Sequence, residues 1–512
     1  MKNIFLRFLL FIATTSMTFG SFANEGLNVD LAILKINKEV KSLNNEILSL
    51  KDEIEVLREN QRLNSEKIAE LLQMIELSRS NNKQSVKSVE ASPSTQSSQL
   101  FNDGKNSFVL GNYDKAIELF LSHLEASTND KSVTDTQLWL GRSYFYNESY
   151  LKSKNAYLDF IAGVSANTLG HNHPKISQAI KDQVDKYTHV MVYGEFIQDQ
   201  PVQLSKLLSK TLPNIFSVYL TNSGTEACEG ALKLAKRHTK RSEIIACHHS
   251  YHGNTQGSMS VSGAEIQNRA FRPLVPGTKF IHYNSLEDLK KITTNTAAVI
   301  LETIQGGAGF IVPQNNYLAK VKKRCEDVGA LMIVDEIQTG IGRTGKFWGF
   351  ENYGIIPDII ITGKGLGGGM PIGAFIAQQK LMDLLKDQPK LGHITTFGGH
   401  PVIASAAVAT VNTIQNSTLI EETLEKEKLI RELLKHPKIK EIRGKGLMLA
   451  AIVESNEIAA NIIHKCLEKG LILFFLLFEG KAIRITPPLT ISKKEIIIGC
   501  EIIMKVIDNL EQ

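Results

Sequence analysis

The spacing of apolar residues changes period several times along this chain, and each change marks a different kind of element. Phe8 to Ala13 is a short continuous apolar run preceded by Lys2 and Arg7. From Ile33 to Ile75 apolar residues recur in steps of three and four: Ile33, Ile36, Val40, Leu43, Ile47, Leu50, Ile54, Leu57, then Ile68, Leu71 and Ile75. Glu and Lys crowd the positions between, and Gln61 and Asn64 fill one pair of seam sites. This heptad pattern predicts a parallel coiled coil over residues 24–78, and β-branched residues at the a sites lean toward two strands. Periodicity then stops. Residues 79–98 are rich in Ser, Asn, Gln and Lys and read as a flexible linker.

Residues 99–156 carry a helical period again, and it repeats. Phe108 to Leu121 aligns with Phe145 to Leu158, matching Tyr113 with Tyr150 and placing small residues at Ala116 and Ser153. An offset of 37 residues (108 to 145) lies close to the tetratricopeptide period. Beyond Gly163 the pattern changes to apolar runs alternating with helical stretches: Ser217–Leu220, Glu243–Ala246, Ala298–Leu301, Leu331–Val334 and Asp358–Thr362. Such an alternation predicts an α/β fold with a mostly parallel sheet and helices on both faces, here spanning 157–415. Charged helices and short strands such as Gly446–Val453 then suggest a smaller domain over 416–512.

The candidate chemistry sits at the ends of these runs. Asp335 closes the apolar run 331–334, and Lys364 follows the run 358–362. Open α/β sheets bind ligands at the carboxyl ends of their strands. A buried acid and a buried lysine on two neighbouring strand ends suit pyridoxal 5'-phosphate: the lysine attaches the cofactor covalently, and the acid keeps its pyridine nitrogen protonated. Ser223-Gly224-Thr225 follows a strand and opens a helix, so it serves either a bound phosphate or a plain helix cap.

Several further motifs occur in order: Asn222-Ser-Gly-Thr-Glu-Ala227, Tyr251-His252-Gly253, Leu301-Glu302-Thr-Ile-Gln305-Gly306, Asp335-Glu-Ile-Gln338-Thr-Gly340, Lys364, Thr396-Phe-Gly-Gly399 and Arg484-Ile-Thr-Pro-Pro-Leu489. With them the chain from about Tyr157 onward resembles the class III pyridoxal-phosphate aminotransferases, the group of the ornithine, acetylornithine and 4-aminobutyrate enzymes. That resemblance implies a fold type I transferase with a large sheet domain and a small C-terminal α+β domain. The implied reaction passes an amino group from an amino acid or ω-amine donor to a 2-oxo acid. Ser223, Gly224 and Thr225 would hold the cofactor phosphate, while Tyr251 beside His252 would stack on the ring. Gln338 would meet the ring hydroxyl, and Thr396 would reach the phosphate of a neighbouring subunit, implying a homodimer or higher oligomer. Glu302 and Arg484 would face the substrate carboxylate. A core tyrosine, a structural ion pair and a structural arginine are the plain alternatives for Tyr251, Glu302 and Arg484. Some positions depart from the family pattern: Asn254 stands where Arg is usual, Thr303 where Pro is usual, His400 where Asn is common, and Gln305-Gly-Gly-Ala-Gly309 replaces Gln-Gly-Glu-Gly-Gly.

The N-terminal part points elsewhere. Lys2, Arg7, the apolar run and Ser21-Phe22-Ala23 form a secretory signal pattern over 1–23, with cleavage expected after Ala23 and a periplasmic destination; the aminotransferase resemblance implies a cytoplasmic one as the alternative. Leader, coiled coil, linker and tetratricopeptide helices in this order resemble the periplasmic cell-division coordinator of the Tol–Pal envelope system, implying an envelope protein partner. Two features change the picture little. The net charge of +5 over 512 residues gives no case for nucleic acid. Five cysteines without CxxC spacing suggest neither a disulfide framework nor a metal site. Tyr157-Leu-Asp-Phe-Ile161 fits both the end of the second repeat and the start of the aminotransferase pattern, whose usual preceding segment is replaced here by a different module. Two functions therefore stand open: a transaminase, or an exported scaffold whose C-terminal part is inert.

Overall fold

The computed structural model describes residues 93–126, some helical positions between 135 and 143, and residues 157–511 apart from positions 193 and 215. The expected leader, coiled coil and most of the linker and second repeat lie outside the described residues. Helix α1 (Pro93–Val109) starts inside the stretch whose composition suggests a linker, with Pro93 at a first-turn position where its missing N–H is no loss. It turns at Leu110–Asn112 into α2 (Tyr113–Ala126), and the two helices close on buried Ala116 and Phe120. Close approach requires Gly104, because a Cβ there would lie 2.6 Å from the Phe120 ring. Trp139 sets its ring edge-on to Phe108 at 5.2 Å, which ties a third helical piece to the pair.

Strand β1 (Leu158–Asp159) follows, then α3 (Pro174–Lys186), α4 (Asp199–Lys210), β2 (Phe216–Thr221) and α5 (Gly224–Thr239). After these come β3 (Glu243–Cys247), β4 (Thr278–Ile281), β5 (Thr296–Glu302), α6 (Tyr317–Val328), β6 (Leu331–Asp335), β7 (Ile359–Thr362), β8 (Gly373–Gln378) and α7 (Pro401–Gln415). Strands β2 to β8 make one seven-stranded sheet in the order β2-β8-β7-β6-β5-β3-β4. Strand β8 runs antiparallel to both its neighbours, and the remaining pairs are parallel. The apolar runs are continuous because both faces are covered. Side chains alternate between them: Val299, Leu301, Met332 and Val334 enter the core that holds Leu204, Leu208, Val321 and Cys325. Ala298, Ile300, Leu331 and Ile333 enter the other, against Ala227, Ala231 and Leu234 of α5.

The last part contains α8 (Leu419–Leu433), β9 (Glu441–Lys445), β10 (Met448–Ile452), α9 (Asn456–Glu468), β11 (Leu471–Ile472), β12 (Phe474–Phe475), β13 (Ala482–Ile485) and α10 (Lys493–Asp508). An antiparallel sheet of order β12-β13-β10-β9 organises it. The string shared by the two sequence patterns is extended, not helical. Leu158 N donates to Gly470 O at 2.7 Å, Phe160 N to Ile472 O at 3.1 Å, and Thr486 N to Phe160 O at 2.7 Å. The first two bonds make β1 a parallel partner of β11, and all three satisfy backbone groups that a helix would have paired internally. Phe160 is fully buried against Gly499, where a Cβ would stand 2.2 Å from the ring. All five cysteines are buried free thiols.

Phe160→Ala is expected to destabilise the aminotransferase-like part by about 3–5 kcal/mol, since a large aromatic leaves a cavity. Urea unfolding followed by tryptophan fluorescence (Trp348 lies in this part) checks it. An unchanged midpoint would return the string to the helical repeat.

Candidate active site

Three adjacent parallel strands deliver the central groups. In register, Glu302 at the end of β5 pairs with Asp335 at the end of β6, and Asp335 pairs with Ile361 of β7. Lys364 comes just after β7 with a left-handed φ of 41°, a backbone conformation uncommon for a side-chain-bearing residue and one that concentrates at functional sites. A cavity of about 460 Å³ opens at these ends. Lys364, Asp335, Glu302, Tyr251, Gln338 and Arg484 all line it.

Asp335 is only 5% exposed, so its carboxylate needs partners inside the protein. His252 Nδ1 lies 2.7 Å from Oδ2, and Ile337 N donates to Oδ1 at 2.9 Å. Burial by itself would lower the His252 pKa, but the hydrogen bond and charge of Asp335, helped by Glu302, raise it above the usual histidine range. Burial is the main reason the Glu302 carboxyl is pushed up to about 7; Asp335 adds to the shift, while His252, the Gly306 amide and Lys364 oppose it. Its Oε1 accepts from Gly306 N at 2.9 Å, and its buried Oε2 has no partner. Burial, then the Arg484 charge, brings the Lys364 amine down to about 8 against the pull of Asp335 and Glu302. Arg484 on β13 is brought down to about 10 by burial. Its guanidinium sits 5.7 Å from the Phe310 ring centre, and its Nε and Nη1 lack hydrogen-bond partners.

The start of α5 forms another wall. Ser223 is its N-cap, its Oγ accepting from Glu226 N at 3.4 Å, while Gly224 and Thr225 line the cavity itself. Gly224 presses on the loop after Asp335: a Cβ there would lie 2.6 Å from Ile337 Cδ1. Thr225 Oγ1 lies 2.7 Å from Ser258 Oγ and accepts from Asn254 N and Thr255 N at 3.3 Å, which joins α5 to the loop carrying Tyr251 and His252. Gly253 in that loop has φ 128°, and a Cβ would come 2.3 Å from Thr225 Oγ1. Tyr251 is 42% exposed, which removes the plain reading of a core tyrosine. Gln338 Nε2 donates to Ser165 Oγ at 3.4 Å. Gln305 turns away and donates to His248 O at 2.6 Å. Thr396 is exposed and does not line this cavity.

Other parts of the site escape sequence reasoning. The bond between His252 and Asp335 is one. Glu336 is another: fully buried, it accepts from Gly349 N at 2.6 Å, Phe350 N at 3.0 Å and the Thr303 hydroxyl, which fixes the loops behind Asp335. An apolar wall of Phe474, Phe475, Leu477 and Ile304 is the third. The run Leu471 to Phe478 looks like core strand in the sequence, and only its exposure in the fold separates cavity wall from core.

These residues fit pyridoxal phosphate. Asp335 is a buried carboxylate for the ring nitrogen, Lys364 is a buried amine of lowered pKa, and Gly224 and Thr225 begin a sixteen-residue helix whose amide end favours an anion. The unpaired nitrogens of Arg484 leave a cation for a substrate.

Comparison with known proteins agrees. Residues 147–507 match the family model described as aminotransferase class-III. The acetylornithine aminotransferase of Caldanaerobacter subterraneus subsp. tengcongensis is 38% identical over 370 residues, covering 70% of this chain and 91% of that protein. That of Bacillus subtilis is 37% identical over 357 residues, covering 68% and 90%. The fold is similar to an ornithine aminotransferase structure from Toxoplasma gondii with partly occupied PLP, at 31% identity and a TM-score of 0.65, covering 69% of this chain and 86% of that one.

The raised pKa of Glu302 has a consequence for stability. The folded state keeps this proton up to about pH 7, whereas the unfolded chain loses it near the ordinary value of 4.5. Its contribution to stability is therefore full below about 4.5 and falls as the pH rises to about 7. Glu302→Gln is expected to melt higher than the native chain at pH 8 relative to their difference at pH 4.5. Thermal scans at the two pH values check it, and equal shifts at both would contradict the burial argument.

Proposed function

Because the chain belongs to the class-III aminotransferases, we propose that Lys364, Asp335 and Arg484 divide the work of transamination among themselves. The activity is pyridoxal-phosphate-dependent transfer of an amino group to a 2-oxo acid. Bound pyridoxal phosphate supplies the electron sink that acidifies the substrate's Cα–H bond. Lys364 would hold the cofactor covalently until the substrate's amine displaces it, and its freed Nζ would then take and return the substrate proton. A lysine at its ordinary pKa stays charged at neutral pH; one lowered to about 8 offers a useful fraction of neutral amine. Asp335, held in place by the His252 contact, would keep the ring nitrogen protonated by placing its carboxylate beside it. Arg484 clamps the substrate carboxylate through the nitrogens that have no internal partner. Gly224 and Thr225 take the phosphate, Tyr251 the ring face and Gln338 the ring hydroxyl, while Thr396 serves a partner subunit's site. Donors of the ornithine and acetylornithine class are supported by the named relatives.

The observation that carries this reading is the convergence of Glu302, Asp335 and Lys364 on three neighbouring strand ends in one cavity. An inert C-terminal part is not favoured, because Glu302, Asp335, Lys364 and Arg484 come together there in one cavity and the relatives are aminotransferases. For the N-terminal part, export with cleavage after Ala23 and a helical-repeat module facing an envelope partner is our proposal, supported by the leader pattern and the paired helices α1 and α2.

Lys364→Ala is expected to abolish turnover and to retain no cofactor after borohydride reduction and denaturation; retained label would place the attachment elsewhere. Asp335→Ala should slow turnover about a thousandfold, ~4 kcal/mol of transition-state stabilisation, with an unchanged circular dichroism spectrum. Cell fractionation with N-terminal sequencing should find a periplasmic chain starting at Asn24, and an intact cytoplasmic chain would remove the export proposal.

A further inference from the structure

The turn that carries Thr396 is fastened to the strand end from which α5 begins. Three contacts hold this segment along β2, just before α7. Tyr219 Oη donates to His393 O at 2.8 Å. Asn222 Nδ2 donates to Thr395 Oγ1 at 2.9 Å. Gly398 lies against the same strand, where a Cβ would come 2.5 Å from Leu220 O. Between these fixed points Thr396 and Phe397 stay exposed. Asn222 is itself anchored at the start of α5. Its backbone N donates to Glu226 Oε2 at 3.0 Å, and its Nδ2 donates to the same oxygen at 2.9 Å. Glu226 N in turn donates to the capping Ser223 Oγ at 3.4 Å. An amide NH2 group has two hydrogens, so Asn222 serves Thr395 and Glu226 at once. One side chain therefore joins the start of α5 to the turn that exposes Thr396.

We propose that Asn222 and Thr395 are positioning residues that act in trans: they hold Thr396 in place for the cofactor phosphate of a neighbouring subunit, so that each subunit's affinity for the cofactor depends on this bond in its neighbour. This rests on the reading that Thr396 serves a partner subunit's site. An exposed threonine on an untied turn loses conformational freedom when it meets a phosphate, and that loss weakens binding. A turn tied at His393, Thr395 and Gly398 has given up that freedom beforehand. Thr395 needs no contact with the phosphate for this role, since its hydroxyl is engaged by Asn222 within its own subunit.

Equilibrium dialysis of pyridoxal 5'-phosphate against the full-length apoprotein tests this. Thr396→Val should weaken binding about tenfold, the loss of one hydrogen bond to a charged group. Thr395→Val should weaken it about fivefold, and the double variant should fall within about a factor of two of Thr396→Val, because Thr395 acts through Thr396. Thr395→Ser, which keeps the hydroxyl that Asn222 meets, should bind like the native chain. Hybrid dimers, purified by two different tags, locate the effect. In them only one subunit keeps Lys364 and can be labelled by borohydride. Thr395→Val on the Lys364→Ala subunit should lower labelling at limiting cofactor, and on the labelled subunit it should leave labelling unchanged. Losses that add in the double variant, or a hybrid effect that is equal on both subunits or confined to the labelled one, overturn the proposal. Weakened binding by Thr396→Val with native binding by Thr395→Val overturns the proposal alone. Native binding by Thr396→Val, or a chain that sediments as a monomer, overturns the reading of Thr396 and this proposal with it.

Discussion

A carboxylate buried at the end of a central strand sets the terms for the rest of this site. Asp335 has almost no contact with water, and an unpaired charge there would be costly. His252 answers it at 2.7 Å, and that single contact fixes where a whole loop must run. His252 is held in turn through its own amide on Ser262 Oγ at 3.0 Å, and its loop reaches α5 through Thr225. The strand end, the loop and the helix start are therefore one connected arrangement. Moving any of them leaves the acid without its partner.

The sheet supplies the precision that this arrangement needs. Strands β5, β6 and β7 are parallel, in register and buried on both faces, so Glu302, Asp335 and the approach to Lys364 emerge along one edge. Burial has two opposite effects there. It raises the carboxyl of Glu302 to about 7 and lowers the amine of Lys364 to about 8, so both groups can exchange protons near neutral pH. The same low-dielectric surroundings produce both shifts, because in each case the charged form is the one that loses its hydration.

The small C-terminal sheet contributes differently. It carries Arg484 and the Phe474–Phe475 pair to the cavity on two antiparallel strands. The short strand β1, pairing with β11, ties the start of the aminotransferase part into this region, so the string around Phe160 supports the element that presents Arg484. Phe160 packs on α10, and this contact favours the extended reading of a sequence string that allows two.

Sequence alone determined much of this protein. Continuous apolar runs ending in Asp335 and before Lys364 pointed to a doubly covered sheet and to two side chains that the fold places in one cavity, because burial on both faces removes the polar alternation that other strands keep. The order of short motifs named the family, and the comparisons bear it out. Local pattern did not reveal β4 or the antiparallel strand β8, whose residues Gly373 to Gln378 follow a glycine-rich stretch and carry few strand signals. Nor could it pair His252 with Asp335, 83 positions apart, or tell that Phe474 and Phe475 face a cavity while Ile483, next to Arg484, faces the core. Those outcomes depend on which surfaces the chain brings together. Periodicity records only whether a residue is suited to leave water, and the tertiary structure decides whether protein or substrate covers it.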